Sequence, residues 1–121
     1  MPLFSTPQAG NVRTAVYPGD KYTLFDGTET PSVGLKSVAF NRAPGNGQSG
    51  NGMVFTVDFA SAPTATVQIQ GANTDAEANY QILSTISTQH GYYADLGLFC
   101  FYRCVLSAYG VGGQPIVTVQ R

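Results

Sequence analysis

The stretch Phe99-Cys100-Phe101-Tyr102-Arg103-Cys104-Val105-Leu106 decides how the rest of the chain is read, because nearly all of it is large and apolar. In extended backbone, successive side chains point to opposite faces. Phe99, Phe101, Arg103 and Val105 would share one face; Cys100, Tyr102, Cys104 and Leu106 would share the other. Both faces need cover, so the segment reads as a central strand of a packed sheet. A helix is the rival reading. Phe, Tyr, Cys and Val are indifferent helix formers, and no capping residue precedes the run. Arg103 is the odd member. It must reach an edge or a carboxylate, with Asp95 and Asp58 as the candidates, and an ion pair of structural purpose is expected.

Composition narrows the class. The 121 residues make one domain by length. Charged residues are 11% of the chain and the formal net charge is -1, less than half the roughly 25% charged share of ordinary globular proteins. So sparse a charge beside 43% hydrophobic residues suggests that other subunits cover some of the surface. It also argues against nucleic-acid binding, which needs a basic patch. Arg13, Lys21, Lys36, Arg42, Arg103 and Arg121 form no cluster. No apolar run approaches the roughly 20 residues of a membrane span. Met1-Pro2-Leu3-Phe4-Ser5 has neither the basic start nor the apolar core of a signal peptide. The expectation is a protein made in a cytoplasm, leaving it only as part of a particle. Cys100 and Cys104 lie four apart in one strand, so their Cα atoms would be about 13 Å apart, beyond disulfide reach. They read as buried thiols.

Outward from the central strand, the chain divides in two. Residues 1–31 carry Pro2, Pro7, Pro18 and Pro31 with three glycines between them. That density forbids a long helix or a central strand. Leu3, Phe4, Val12, Val16, Tyr17, Tyr22, Leu24 and Phe25 are anchors that a solvated tail would lack. The segment reads as an extended arm lying along a surface, with a short strand at 21–25. Residues 32–121 read as the β domain. A strand is expected over 32–41, a polar loop over 43–52, and strands at 53–59 and 64–70 that look like a hairpin or meander. A loop or single helical turn follows at 71–79, then strands near 80–87, 92–96 and 116–120. About seven short strands with regular turn signals indicate an all-β antiparallel sandwich, of jelly-roll or Ig-like type.

Motifs that carry chemistry are weak here. Gly45-Asn46-Gly47-Gln48-Ser49-Gly50 matches G-x-G-x-x-G, but that motif must open a helix to bind a pyrophosphate, and a strand follows instead. His90 has Asp95 five residues on, yet no nucleophile in a recognisable setting. One histidine and two same-strand cysteines do not make a zinc site. Asn73, Asp75 and Glu77 alternate in a loop but lack EF-hand spacing. No catalytic, cofactor or metal site is expected. Tyr92, Tyr93 and Tyr109 are the best candidates for an exposed aromatic platform of the kind that binds glycans.

Val67-Gln68-Ile69-Gln70-Gly71-Ala72-Asn73-Thr74-Asp75, then Tyr80, Gly91-Tyr92-Tyr93-Ala94-Asp95, Tyr102-Arg103 and Val117-Thr118-Val119, form a recurring pattern. It resembles small jelly-roll or Ig-like modules of tailed-phage virion proteins, among them decoration (cement) and head or tail accessory proteins. The similarity covers about residues 53–121. The Trp often found after the "ND" loop of such modules is absent. The resemblance implies a structural, non-enzymatic role on a phage particle. Its partner would be the major capsid protein or another virion protein, and the assembly a homo-oligomer, a trimer first. Leu3, Phe4, Val12, Arg13, Val16 and Tyr17 of the arm, with Asn46, Gln48 and Asn51 of the loop, would make the contacts. Neither nucleic acid nor membrane is expected as a partner. The alternative is a carbohydrate- or receptor-binding module of a tail or fibre.

Overall fold

The computed structural model describes residues 14–43 and 52–121. Among the described residues there are ten strands and no α-helix: β1 (Ala15–Val16), β2 (Lys21–Asp26), β3 (Leu35–Lys36), β4 (Phe40–Arg42), β5 (Met53–Asp58), β6 (Ala65–Ala72), β7 (Gln81–Ile86), β8 (His90–Asp95), β9 (Phe101–Tyr109) and β10 (Ile116–Gln120). They form two sheets packed as an all-β sandwich. The first has the order β1-β4-β9-β6-β7, with β3 also on β9; the second has the order β2-β10-β5-β8.

The apolar stretch lies at the centre, as its composition requires. β9 pairs with β6 along one edge and with β4 and then β3 along the other. Tyr102, Cys104 and Leu106 face the opposite sheet and are fully buried. Phe25, Phe40, Phe55, Val57, Val67, Ile69, Val117 and Val119 complete that layer. Each such side chain contributes about 1.5–3 kcal/mol on burial. The rings of Phe40, Phe55 and Tyr102 lie 5.7–6.2 Å apart, centroid to centroid, and weld the two sheets together.

Several sequence expectations need correction. The arm does not extend to residue 31. β1 runs parallel to β4, and β2 is hydrogen-bonded to β10 along its length. Phe25 and Val16 are core residues, 1% and 2% exposed. Pro18 and Pro31, two of the prolines that suggest an arm, stand between strands instead. Pro18 and Gly19 (φ +93°) form the turn that joins β1 to β2, closed by Asp20 N–H donating to the Tyr17 carbonyl at 2.9 Å. Residues 1–13 lie outside the described residues.

β5 and β6 are not a hairpin. They sit in opposite sheets, and the 59–64 link crosses the end of the sandwich. Alternation reveals which side chains face inward; it does not reveal the partner strand. The strand expected over 32–41 is interrupted. Cys104 N–H, which a continuous neighbour would satisfy, donates to Ser37 Oγ at 3.0 Å, and Ser37 N–H donates to the Cys104 carbonyl at 2.9 Å. That side-chain substitution separates β3 from β4. Cys100 precedes β9 and is exposed, whereas Cys104 is buried; both thiols are free. Burial pushes the Cys104 thiol up to about 12.

Arg103 pairs with neither Asp95 nor Asp58. Its guanidinium donates to both Glu77 oxygens at 2.8 Å, and its Nε donates to Gln70 Oε1 at 2.8 Å. Its Cζ lies 3.9 Å from the Tyr80 ring centroid. The short 3-10 turn Glu77–Asn79 is thereby clamped onto the outer face of β6 and β9. The hydrogen bonds from Arg103 hold the Glu77 carboxyl below its usual range.

Candidate functional site

Chain topology gathers several exposed apolar groups at one end of the sandwich. β1, β4, β8 and β10 finish there, and β5 and β9 begin there. The Tyr17–Asp20 turn, both flanks of segment 44–51 and the Leu96–Cys100 link share that end. On it Leu96 is 76% exposed, Leu98 73% and Tyr17 57%.

The link that carries the two leucines is braced at Gly97, Phe99 and Cys100. Asp95 is the hub. Its Oδ1 accepts from Tyr93 Oη at 2.5 Å, and its Oδ2 accepts from Tyr102 Oη at 2.5 Å and from Gly97 N–H at 2.8 Å. Tyr102 Oη in turn accepts from Phe99 N–H at 3.1 Å. The Phe99 carbonyl accepts from Arg42 Nε at 2.8 Å, and Cys100 N–H donates to the Ala72 carbonyl at 3.2 Å. Phe99 packs edge-on against Tyr102 and lies over Gly71, where a Cβ would meet its ring at 2.9 Å. Burial, with the Asp95 carboxylate second, pushes the Tyr93 phenol up to about 12 and raises Tyr102 as well. Both phenols therefore remain donors throughout the neutral range. A loop this firmly held presents Leu96 and Leu98 with little ordering left to lose on contact.

Arg121 adds charge beside this end. Its Nη1 donates to the carbonyls of Val16 and Ala43, while Nε and Nη2 are buried without a partner. Desolvation, then the neighbouring Arg42, lowers its pKa.

Of the residues expected to contact a partner, Tyr17 is exposed at this end. Val16 is not available, because its side chain is in the core. Leu3, Phe4, Val12, Arg13, Asn46, Gln48 and Asn51 lie outside the described residues, as does the G-x-G-x-x-G match; the segment after it is strand β5. Tyr92, Tyr93 and Tyr109 do not form a platform. Tyr92 points outward from β8, whereas Tyr93 points inward, its ring 6.1 Å from Phe55. Tyr109 belongs to the other sheet, and its hydroxyl accepts from Gly113 N–H at 3.3 Å. His90 hydrogen-bonds Asp58 at 2.7 Å, not Asp95. Five residues along a strand place His90 and Asp95 on opposite faces. Glu77 is engaged by Arg103 and Asp75 by Tyr80 Oη at 2.7 Å. Among the described residues, no three His, Cys, Asp or Glu side chains converge as a metal site would need. No helix among them is long and apolar enough to cross a membrane.

The apolar Leu-Gly-Leu-Phe run at 96–99 was the available signal for this end. Alternation makes such residues look like one more buried strand. Only the hydrogen bonds of Asp95 show that they form a link with its leucines outside. Comparison of the chain with protein-family models, curated proteins and solved structures finds no match.

Proposed function

We propose that the chain is a structural protein of a phage particle, a capsid decoration protein that acts mechanically rather than by catalysis. It docks through the Leu96, Leu98 and Tyr17 end onto the major capsid protein or another virion protein. The observation that carries the reading is the braced link with two leucines about three-quarters exposed. Burying each leucine supplies about 1.5–3 kcal/mol, before the cost of association. Repetition over a symmetric shell multiplies such contacts by avidity. The low charge and the resemblance over residues 53–121 support the same reading, and the proposed assembly is a homo-oligomer, trimeric in the first instance. The expected location is the virion, after assembly in a host cytoplasm.

Co-sedimentation with shells of the parent phage tests it. The double variant Leu96→Asp/Leu98→Asp should fold normally and lose shell occupancy at least tenfold, as about 1.4 kcal/mol or more of lost burial implies. Unchanged occupancy would remove this end from the contact. Deleting residues 1–13 measures separately what the remaining leader contributes.

A further inference from the structure

The opposite end of the sandwich holds an apolar cleft with an unsatisfied amide in its wall. The cleft measures about 290 Å³ and is lined by Asp26, Gly27, Asp58, Phe59, Gln114 and Ile116, among others. That volume is near the lower bound of roughly 300 Å³ for small-molecule sites. Ile116, 45% exposed, lies between the two carboxylates across neighbouring strands. Gly27 (φ +90°) closes over it, and a Cβ there would meet Ile116 Cγ1 at 3.0 Å.

Gln114 is the informative residue. Both Nε2 and Oε1 are buried and neither has a hydrogen-bond partner. A donor and an acceptor left unmade side by side are costly, and a native fold keeps them for a reason. The group that satisfies both at once is another amide.

The rims specify what surrounds that amide. Asp26 spends its Oδ1 on Thr28, from the backbone N–H at 2.9 Å and the hydroxyl at 2.6 Å. Asp58 spends its Oδ1 on His90 at 2.7 Å. Asp58 keeps Oδ2 for a hydroxyl donor, whereas Asp26 has the Glu29 carboxyl beside it. Beyond the Asp58–His90 ridge a polar groove continues past Ser84, Ser87, Thr88 and the outward ring of Tyr92.

We propose that this cleft binds an N-acetylated saccharide, with its acetamido group on Gln114 and a ring hydroxyl on Asp58. The acetyl methyl lies against Phe59 and Ile116, and Tyr92 extends the site toward a following sugar. The site is at the other end from the docking leucines, so either reading survives failure of the other.

The test is titration of isotope-labelled protein by NMR with N-acetylglucosamine, N-acetylgalactosamine, glucose, galactose and acetamide. One or both N-acetylated sugars should shift the Gln114 side-chain amide signals and saturate. Glucose and galactose should leave them in place. Gln114→Leu, with a dispersed spectrum showing the fold intact, should abolish the saturable shifts that the N-acetylated sugars produce in the backbone amides of Phe59 and Ile116, which line the same cleft. Asp58→Asn should weaken binding at least about tenfold, the value of a charge-assisted hydrogen bond. Shifts of equal size with glucose, or no shift with any sugar, overturn the proposal. Acetamide binding as tightly as the N-acetylated sugars also overturns it, and points to a protein amide as the occupant.

Discussion

At the scale of single residues, burial of titratable groups makes the sharpest statements. Tyr102 and Tyr93 both donate to Asp95, and both have phenols raised above the ordinary value of 10.0. The folded state therefore holds these protons more tightly than the unfolded chain. The resulting stability is complete below pH 10 and falls as pH rises toward about 12, the value of Tyr93. Urea unfolding between pH 8 and 11.5 should show that decline, and Tyr102→Phe should flatten it. The same variant removes one hydrogen bond to a part-buried carboxylate, at an expected cost of about 1–3 kcal/mol at neutral pH. Glu77 has the opposite sign. Its folded pKa lies below the ordinary value of 4.5, so its stabilisation is present above that value and lost as pH falls through the folded pKa. Glu77→Gln should flatten the acid limb of the stability profile while leaving the alkaline limb as it was. Gly91 answers to packing rather than charge. A Cβ there would lie 2.5 Å from Ile86 Cγ2 and 2.8 Å from Thr88 Oγ1, so Gly91→Ala should cost about 1–3 kcal/mol in the same assay.

At the scale of elements, some of the structure was legible in the chain and some was not. Strand-and-turn patterning located β5, β6 and β10. It named the Phe99–Leu106 run as central, and β9 is flanked on both edges. Pairing was not legible, because an inward face is equally inward against any neighbour in either sheet. The partner of Arg103 was missed for a related reason. Glu77 becomes its neighbour only when the 3-10 turn folds over β6 and β9. The proposed docking end was half visible, through Tyr17. Leu96 and Leu98 were hidden by composition, since exposed and buried leucines look alike in a sequence. Gln114 was hidden too, because nothing local marks an amide that ends up without a partner. The arm was misread where prolines were taken as a property of the whole segment rather than of its turns. Phe25→Ala measures the difference. As a core residue of β2 it should cost about 3–5 kcal/mol, a large share of the roughly 5–15 kcal/mol that holds a domain folded. A residue on a detached arm would cost almost nothing.

At the scale of the whole molecule, the sandwich has two unlike ends. One end presents leucines on a link that Asp95 and Arg42 hold still. The other presents an amide-lined cleft between two aspartates. An object fixed to a particle by the first end would carry the second outward, which is a sensible geometry for a surface protein. The claim on which that picture depends is the identity of the docking end. Hydroxyl-radical footprinting of the shell-bound chain against the free chain tests it directly. Leu96, Leu98 and Tyr17 should be protected on the shell while Tyr92 and Ile116 keep their free reactivity. Full reactivity of Leu96 and Leu98 on the shell would contradict it.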